Sequence, residues 1–447
     1  MKKMLVVGAR RSGVYAALLG VKNGFEVFVT EKDNSKEVQK YVSLLKENGI
    51  DYEINGHSRW KESNYDLAVL SPGVPLKAEI VYEIKNCEIP IIGEMEFAFR
   101  MSPNTKVIAI TGTNGKSTTT ALTGNIFSYS GLNSVFGGNL GTPYSELVYK
   151  NPDPDVAVLE TSCFQLETIQ NFHPFVSVFL NFSEDHLNRY RDMEEYLKYK
   201  LRIFENQSSS DFAILNYSDE TLRKISDRIK ANVFYFSLEE PVKRGVYVEN
   251  SGIYFASNGL KEFILPVSYI NLRGRHNIEN VLAAVLSAKL FGLPNDVIVK
   301  GVQTFHGLEH RLENVRKIDG VLYVNDSKAT TPDSVIKALN SFNEKIVLIA
   351  GGSSKNNDFS EMARLFPLKL RKLILIGETS ADIANAALEN GFSDIVFASS
   401  LKDAVDLAKK IAKEGDVVLL SPACASFDMF DDFEDRGRKF KEIVNKL

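Results

Sequence analysis

The sequence predicts an α/β protein built on parallel sheets and divided into three consecutive domains. Three observations carry that expectation. Short apolar runs rich in β-branched residues alternate with helical patterns along the chain, as in βαβ units. Several of these runs end in glycine or small polar residues, where open parallel sheets place their ligands. A length of 447 residues also suits about three domains.

The first predicted domain covers residues 1–102. Residues 4–7 read as a strand, 8–13 as a turn, 14–23 as a helix and 26–30 as a second strand. The turn runs Gly8, Ala9, Arg10, Arg11, Ser12, Gly13. Its outer glycines suit a dinucleotide-binding turn and give the domain a Rossmann-like start. Arg10 replaces the middle glycine that lets a pyrophosphate approach the backbone, which argues against an NAD-dependent oxidoreductase. Glu31 follows the second strand, placed to accept from ribose or uracil groups, and Lys32 comes next. Residues 67–70 form another strand, closed by Ser71, Pro72 and Gly73.

The second domain is expected over 103–307, after a proline turn at 101–104. Its first strand leads into VIAITGTNGKSTTT, residues 107–120. A strand, a glycine turn and a helix N-terminus bring backbone N–H groups and the positive end of a helix dipole to one point, an anion site. Lys116 can reach the terminal phosphates of a nucleotide there, and the Ser117 hydroxyl can hold Mg2+. Ile110 stands where the first glycine of G-x-x-x-x-G-K-[ST] belongs, so the match is incomplete and a chance Gly-Lys-Ser turn is the alternative. A P-loop ATPase domain with a parallel sheet is the reading adopted.

Residues 156–159 form an apolar strand ending in Glu160, where a Mg2+ ligand belongs beside a phosphate loop. The glycine-rich turn 137–141 carries Asn139, an amide suited to ligand contact. After the strand at 176–180 comes NFSEDHLNRY, in which His186 suits either a metal ligand or a helix cap. Residues 193–205 read as an amphipathic helix. A helix beginning within 273–288 has Asn277 and Asn280 on one face, able to bond an adenine edge or to cap the helix.

The third domain, 308–447, shows strands at 321–324, 346–350, 373–376, 394–398 and 417–420. Alternating strands and helices again imply a Rossmann-like parallel sheet. Its polar tips are Asp326-Ser327-Lys328, Gly351-Gly352 and Ser421-Pro422-Ala423.

Composition narrows the function classes. Hydrophobic content of 44% and charged content of 25% are ordinary for a globular chain. A net charge of −4 speaks against a general nucleic-acid binder, which would present a basic face. Three widely spaced cysteines form neither a disulfide framework nor a zinc cluster and suit a reducing compartment. The apolar run after the first residues is too short for a signal peptide, and no window approaches a membrane span. A cytoplasmic, non-inserted protein is expected.

The stretches TGTNGKSTTT, GGNLG, LETSCFQLE, NFSEDHLNRY, KLRIFE, GRHNIENVLAA, HRLE, NDSKATTPDS and SPACASFDMF together resemble the Mur ligases of peptidoglycan synthesis. They occur over the whole chain in that family's order. S-x-F-Q-L-E and N-D-S-K-A-T point to the branch that joins D-glutamate to UDP-N-acetylmuramoyl-L-alanine, and the D-N-P-R of a diaminopimelate-adding relative is absent. The resemblance implies an ATP-dependent amide-forming ligase, monomeric, working by an acyl phosphate and a tetrahedral intermediate. The first domain would hold the UDP part of the substrate, the second ATP and the third the incoming amino acid.

Residue by residue, the resemblance makes Gly112, Thr113, Asn114, Gly115, Lys116, Ser117 and Thr118 the phosphate cradle. Asn277 and Asn280 would contact adenine, Arg311 would clamp the β- and γ-phosphates from the domain junction, and Asp326 would contact ribose. Ser117, Glu160, His186 and Lys200 would serve two Mg2+ sites, Lys200 as a carbamate. Lys116, Asn139, His186 and Lys200 would be catalytic. Arg10, Arg11, Ser12, Gly13, Glu31, Lys32, Ser71, Gly73 and Asn139 would hold the UDP substrate. Lys328, Thr330, Lys355, Ser426, Phe427 and Phe433 would form the amino-acid pocket.

Two departures from the family pattern stand out. Arg10 and Arg11 make the first loop more basic than its usual glycine-rich form, so side chains are expected to grip the pyrophosphate. Residues 427–432 are strongly acidic. Facing the pocket they would disfavour a second negative charge on the acceptor and admit D-lysine as a secondary substrate; a solvated helix start is the alternative. Rival readings are a nucleotide-switch or mechanical ATPase, which would not need Asp326 or Lys355, and a folate-polyglutamate ligase. Junctions near 103 and 308 are expected to act as hinges.

Overall fold

A computed structural model describes residues 1–139, 141–184, 189–354 and 357–447. The described residues form three sheets. The first has the order β3-β2-β1-β4-β5, with β1 Lys3–Val7, β2 Glu26–Thr30, β3 Asp51–Glu53, β4 Leu67–Leu70 and β5 Ile91–Gly93. All its pairings are parallel. Helix α1 spans Arg11–Lys22, three residues earlier than the sequence reading, so Ser12 and Gly13 lie in its first turn. Gly13 has to be glycine: a Cβ there would collide with the Gly8 carbonyl. Helices α2 Lys36–Glu47, α3 Glu79–Asn86 and α4 Glu94–Arg100 complete the layer.

The second sheet has nine strands in the order β14-β13-β12-β11-β10-β9-β6-β8-β7. They are β6 Lys106–Thr111, β7 Ser134–Gly138, β8 Val156–Glu160, β9 Val176–Phe179, β10 Phe212–Asn216, β11 Asn232–Ser237, β12 Gly245–Glu249, β13 Gly252–Ser257 and β14 Leu260–Pro266. The phosphate-loop strand β6 lies between β8 and β9, all parallel. Sequence reading foresaw no strand between 212 and 266. There β12–β14 form an antiparallel meander whose two-residue turns, Asn250-Ser251 and Asn258-Gly259, take positive φ throughout, as type I′ hairpins require. Helices α5 Lys116–Ser128, α6 Tyr144–Lys150, α7 Cys163–Leu166 and α8 Met193–Leu201 belong to this region.

The third sheet runs β15-β16-β20-β17-β18-β19, from β15 Glu313–Ile318, β16 Val321–Asn325, β17 Ile346–Ala350, β18 Leu370–Leu375, β19 Ile395–Phe397 and β20 Val417–Leu420. It is parallel except for β15, which pairs antiparallel with β16. The Asp319-Gly320 turn, both residues at positive φ, makes that hairpin. The charged sequence of β15, ENVRKI, suits an exposed edge strand and hid it from hydrophobic periodicity.

The chain divides into two compact units, 1–270 with 275–305, and 271–274 with 306–447. Within the first unit a single apolar core runs from Met4 to Ala231 across residue 103. Polar bonds reinforce it. Glu96, fully buried on α4, accepts the backbone N–H groups of Gln170, Asn171 and Phe172 at 2.8–3.1 Å and the Nε of Arg100. Glu94 accepts the N–H of Ser145 at 2.6 Å. No helix among the described residues is long and apolar enough to cross a membrane.

Candidate active site

The phosphate loop forms as its sequence dictates. Strand β6 ends at Thr111, Gly112 and Gly115 take φ of +154° and +83°, and α5 begins at Lys116. A Cβ on Gly115 would run into the Asn280 amide. The loop is strapped to the end of β9: Thr113 N–H donates to the Asn181 carbonyl at 3.0 Å and Asn114 N–H to Asn181 Oδ1 at 2.8 Å. Lys116 Nζ folds over it, donating to the carbonyls of Gly112 and Thr113, both at 2.8 Å. Ser117 is half-buried beside it and Thr118 buried.

Asn280 is buried on the helix Arg275–Phe291. Its Oδ1 accepts from Thr119 Oγ1 at 3.2 Å and its Nδ2 donates to Asn277 Oδ1 at 3.0 Å. The two asparagines therefore meet each other, and Asn280 meets the first turn of α5.

Glu160 ends β8 and is buried. One carboxylate oxygen accepts from Asn139 Nδ2 at 2.7 Å, and the other is buried with no hydrogen-bond partner among the described residues. A carboxylate oxygen left in that condition is costly unless a cation meets it, so the residue fits a Mg2+ ligand. Asn139 reaches Glu160 because Gly138 and Gly137 lack side chains: a Cβ on either would strike the carbonyl of Glu160 or of Thr142. Among the described residues no group of three or more His, Cys, Asp or Glu side chains forms a metal cage. One carboxylate and one hydroxyl with substrate phosphates is a donor set Mg2+ accepts.

Lys200, on α8, is only 1% exposed. Its Nζ donates to the Gly112 carbonyl at 2.9 Å and lies over the rings of Tyr196 and Phe179. The structure thus brings Lys116, Ser117, Lys200, Glu160 and Asn139 to neighbouring strand ends of one sheet. His186 lies outside the described residues.

In the first domain the expected ligand groups are largely engaged with each other. The Glu31 carboxylate accepts from Ala9 N–H at 2.9 Å and Asp33 N–H at 2.8 Å, closing the first turn. Arg10 is exposed and ion-paired with Asp33 and Glu37. Arg11, expected to grip pyrophosphate, points to α6 instead: its Nε and Nη2 bond the two Glu146 oxygens at 2.6 and 3.1 Å, and Nη1 donates to the Gly141 carbonyl at 2.7 Å. Its guanidinium is held further above its ordinary range by the Glu146 hydrogen bond. Ser12 accepts at its carbonyl from Ser145 Oγ. The Ser71 hydroxyl is buried against Gly8 and Gly13 with no hydrogen-bond partner, while Gly73 faces open space and Lys32 is exposed.

The second unit holds the remaining candidates. Asp326 is buried, accepting from Ser421 Oγ at 2.7 Å and Leu312 N–H at 3.1 Å. Burial pushes its carboxyl up to about 7. Arg311 is exposed between His310 and Leu312, both at positive φ. Lys328 Nζ lies over the Phe433 ring, and Thr330 N–H donates to the Lys328 carbonyl. Ser426 is buried, but Phe427 is 73% exposed and is not gathered with the others. Lys355 lies outside the described residues.

Sequence reading missed Arg436. Fully buried on the helix Phe433–Asn445, its guanidinium donates to Ser327 Oγ and the Ser327 carbonyl, both at 2.9 Å, and to the Cys424 carbonyl at 3.2 Å. It therefore ties the loop carrying Asp326 and Lys328 to the loop carrying Ser426. The signal was present: Arg436 stands four before buried Phe440, on the apolar face of an amphipathic helix. The acidic segment is partly spent as well. Asp428 accepts from Ser353 Oγ and Glu378 N–H, and Asp432 caps the last helix through Asp435 N–H at 2.7 Å.

Residues 110–288 match the Mur ligase middle domain, and residues 310–424 the Mur ligase, glutamate ligase domain. The chain is 42% identical to a UDP-N-acetylmuramoylalanine–D-glutamate ligase of Pelotomaculum thermopropionicum, covering 100% of this chain and 98% of that one. The enzyme of the same name from Clostridioides difficile is also 42% identical, over 100% of this chain and 99% of its own. Two solved structures share the fold. UDP-N-acetylmuramate-alanine ligase MurC of Thermotoga maritima aligns with a TM-score of 0.63 at 20% identity, covering 100% of this chain and 99% of that one. MurF of Acinetobacter baumannii gives 0.63 at 18%, covering 98% and 93%.

Proposed function

The chain belongs to the Mur ligase family, and from that premise we propose that it joins D-glutamate to UDP-N-acetylmuramoyl-L-alanine at the expense of ATP. The full-length likeness to ligases of that name carries the reading, and the Glu160–Asn139 pair beside the phosphate loop supports it.

As a Mur ligase the protein uses ATP and Mg2+. The backbone N–H groups of 112–118 and the start of α5 cradle the phosphates. Lys116 exchanges its loop carbonyls for phosphate oxygens, and Ser117 Oγ and the buried Glu160 oxygen would hold Mg2+, which would supply positive charge where carboxylate and triphosphate approach each other. The alanine carboxylate of the substrate attacks the γ-phosphorus, forming an acyl phosphate and releasing ADP. The amine of D-glutamate then adds to the carbonyl carbon, and the tetrahedral intermediate expels phosphate. Asn139 orients the reacting end of the substrate, and Asn277 and Asn280 bond adenine.

A second Mg2+, with His186 and a carbamate on Lys200 as ligands, belongs to the same proposal. Residues 1–102 hold the UDP part, 103–307 ATP and 308–447 D-glutamate. In the last, Arg311 and Asp326 are assigned to nucleotide, and Lys328, Thr330, Lys355, Ser426, Phe427 and Phe433 to the amino acid. The protein works as a cytoplasmic monomer without a nucleic-acid partner.

The test is phosphate release from ATP with UDP-N-acetylmuramoyl-L-alanine and D-glutamate, L-glutamate, D-lysine or no amino acid, run beside a folate with L-glutamate. Release that requires D-glutamate supports the reading. Release only with a folate and L-glutamate overturns it.

A further inference from the structure

The first loop carries two adjacent arginines, Arg10 and Arg11, and they do different things. Arg10 is exposed and, among the described residues, ion-pairs with Asp33 and Glu37, whose side chains are 45% and 57% exposed; such pairs are weak and exchange readily for another anion. Arg11 is committed. Besides its fork on Glu146 and its bond to the Gly141 carbonyl, Nη2 lies 3.4 Å from Thr142 Oγ1. Glu146 is buried, and its remaining charged partner is Lys150 at 2.7 Å. Burial alone would raise the Glu146 carboxyl, but the hydrogen bonds from Arg11 and Lys150 hold it below its ordinary range. Turning Arg11 toward a ligand would leave the buried Glu146 carboxylate with Lys150 as its one charged partner among the described residues and take both hydrogen bonds of the guanidinium fork from it, which is costly.

From Gly141 and Thr142 the connection is short. The Thr142 carbonyl accepts the N–H of Gly138 at 2.8 Å, the Asn139 N–H donates to the Glu160 carbonyl at 2.9 Å, and the Asn139 amide meets the Glu160 carboxylate. We propose that Arg11 is a positioning residue: clamped between Glu146 and Gly141, it fixes Gly141 and Thr142, and through the Thr142 carbonyl Gly138, so that Asn139 and Glu160 meet at the reacting end, and leaves the pyrophosphate to other groups. Arg11 starts α1, so the same residue joins the nucleotide-sugar loop to the reaction centre. This rests on the ligase reading, in which Asn139 and Glu160 serve the reaction.

The experiment compares Arg11→Ala, Arg11→Lys, Glu146→Gln and the Arg11→Ala/Glu146→Gln pair with the wild type by steady-state phosphate release, and measures binding of UDP calorimetrically. Arg11→Ala is expected to lower kcat about tenfold while the KM of the UDP substrate and the Kd of UDP stay within about twofold. Arg11→Lys, which keeps one of the two contacts, recovers part of kcat and covers the case in which Arg11→Ala does not fold. The double variant is expected to be no slower than the slower single one, because both act through one clamp. Unchanged kcat in Arg11→Ala overturns the proposal. So does a weakened UDP affinity with kcat intact, or losses that multiply in the double variant. A wild-type chain that releases no phosphate overturns the ligase reading and this proposal with it; a working wild type with indifferent Arg11 variants overturns this proposal alone.

Discussion

Lys116 and Lys200 donate to the same oxygen, the carbonyl of Gly112, at 2.8 and 2.9 Å. Two ammonium groups on one acceptor repel each other, and the buried one has little water to screen it. A carbamate on Lys200 would turn that repulsion into attraction and add metal-binding oxygens. Activity is therefore expected to fall in CO2-free buffer and to return on adding bicarbonate, followed by phosphate release. Lys200→Ala should lose about 100-fold or more in kcat without recovering under bicarbonate.

Glu160→Gln removes the charge from a buried oxygen that no hydrogen-bond donor among the described residues satisfies. Thermal stability without metal should hold or rise. Catalysis should drop about 100-fold, and the stabilisation given by Mg2+ with nucleotide should disappear in melting curves.

Asp326 gives a pH signature. Its carboxyl is raised to about 7 by burial from an ordinary value near 3.8, so the folded state binds a proton that the unfolded chain has released. Its contribution to stability is fully present below about pH 4, is lost as pH climbs to about 7, and stays lost above. Melting temperatures across that window should show the slope. Asp326→Asn should flatten it and melt several degrees higher above neutrality.

Arg436→Ala should destabilise the second unit by about 2–4 kcal/mol, because the carbonyls of Ser327 and Cys424 lose buried donors. Arg436→Lys should recover part of that loss in urea unfolding and part of the affinity for D-glutamate.

With Asp428 held by Ser353 and Asp432 capping the last helix, Asp431 is the exposed carboxylate left in the acidic segment. Phosphate release with D-lysine is expected to stay below about a tenth of that with D-glutamate, and Asp431→Asn to lower it further.

What the sequence made legible was local. A strand, a glycine turn and a Lys-Ser pair announce an anion site within fourteen residues, 107–120, and the acid ending β8 is found by its place beside that loop. Charge partners far apart in the chain were not legible. Arg11 meets Glu146 across 135 positions, and Arg436 meets Ser327 across 109. Arg11 was read from its loop alone, as a phosphate grip, because nothing local says which buried acid will claim it. The β12–β14 meander escaped for another reason: its outer strand LKEFILP is mostly exposed, so apolar alternation is blurred, and only the Asn-Gly turn marked it.

The buried Glu96 has a consequence for how the chain is made. Its carboxylate is satisfied by amides of residues 170–172, and Phe99 packs edge-on against Phe172. A ribosome that has delivered only the first hundred residues has supplied a sheet whose last helix pairs Glu96 with Arg100 but lacks the amides of 170–172 and the ring that covers Phe99. The amino-terminal sheet is therefore expected to complete its packing only after residues 170–172 have been made, and a fragment ending at residue 102 to expose the apolar surface that Phe172 and its neighbours cover in the whole chain.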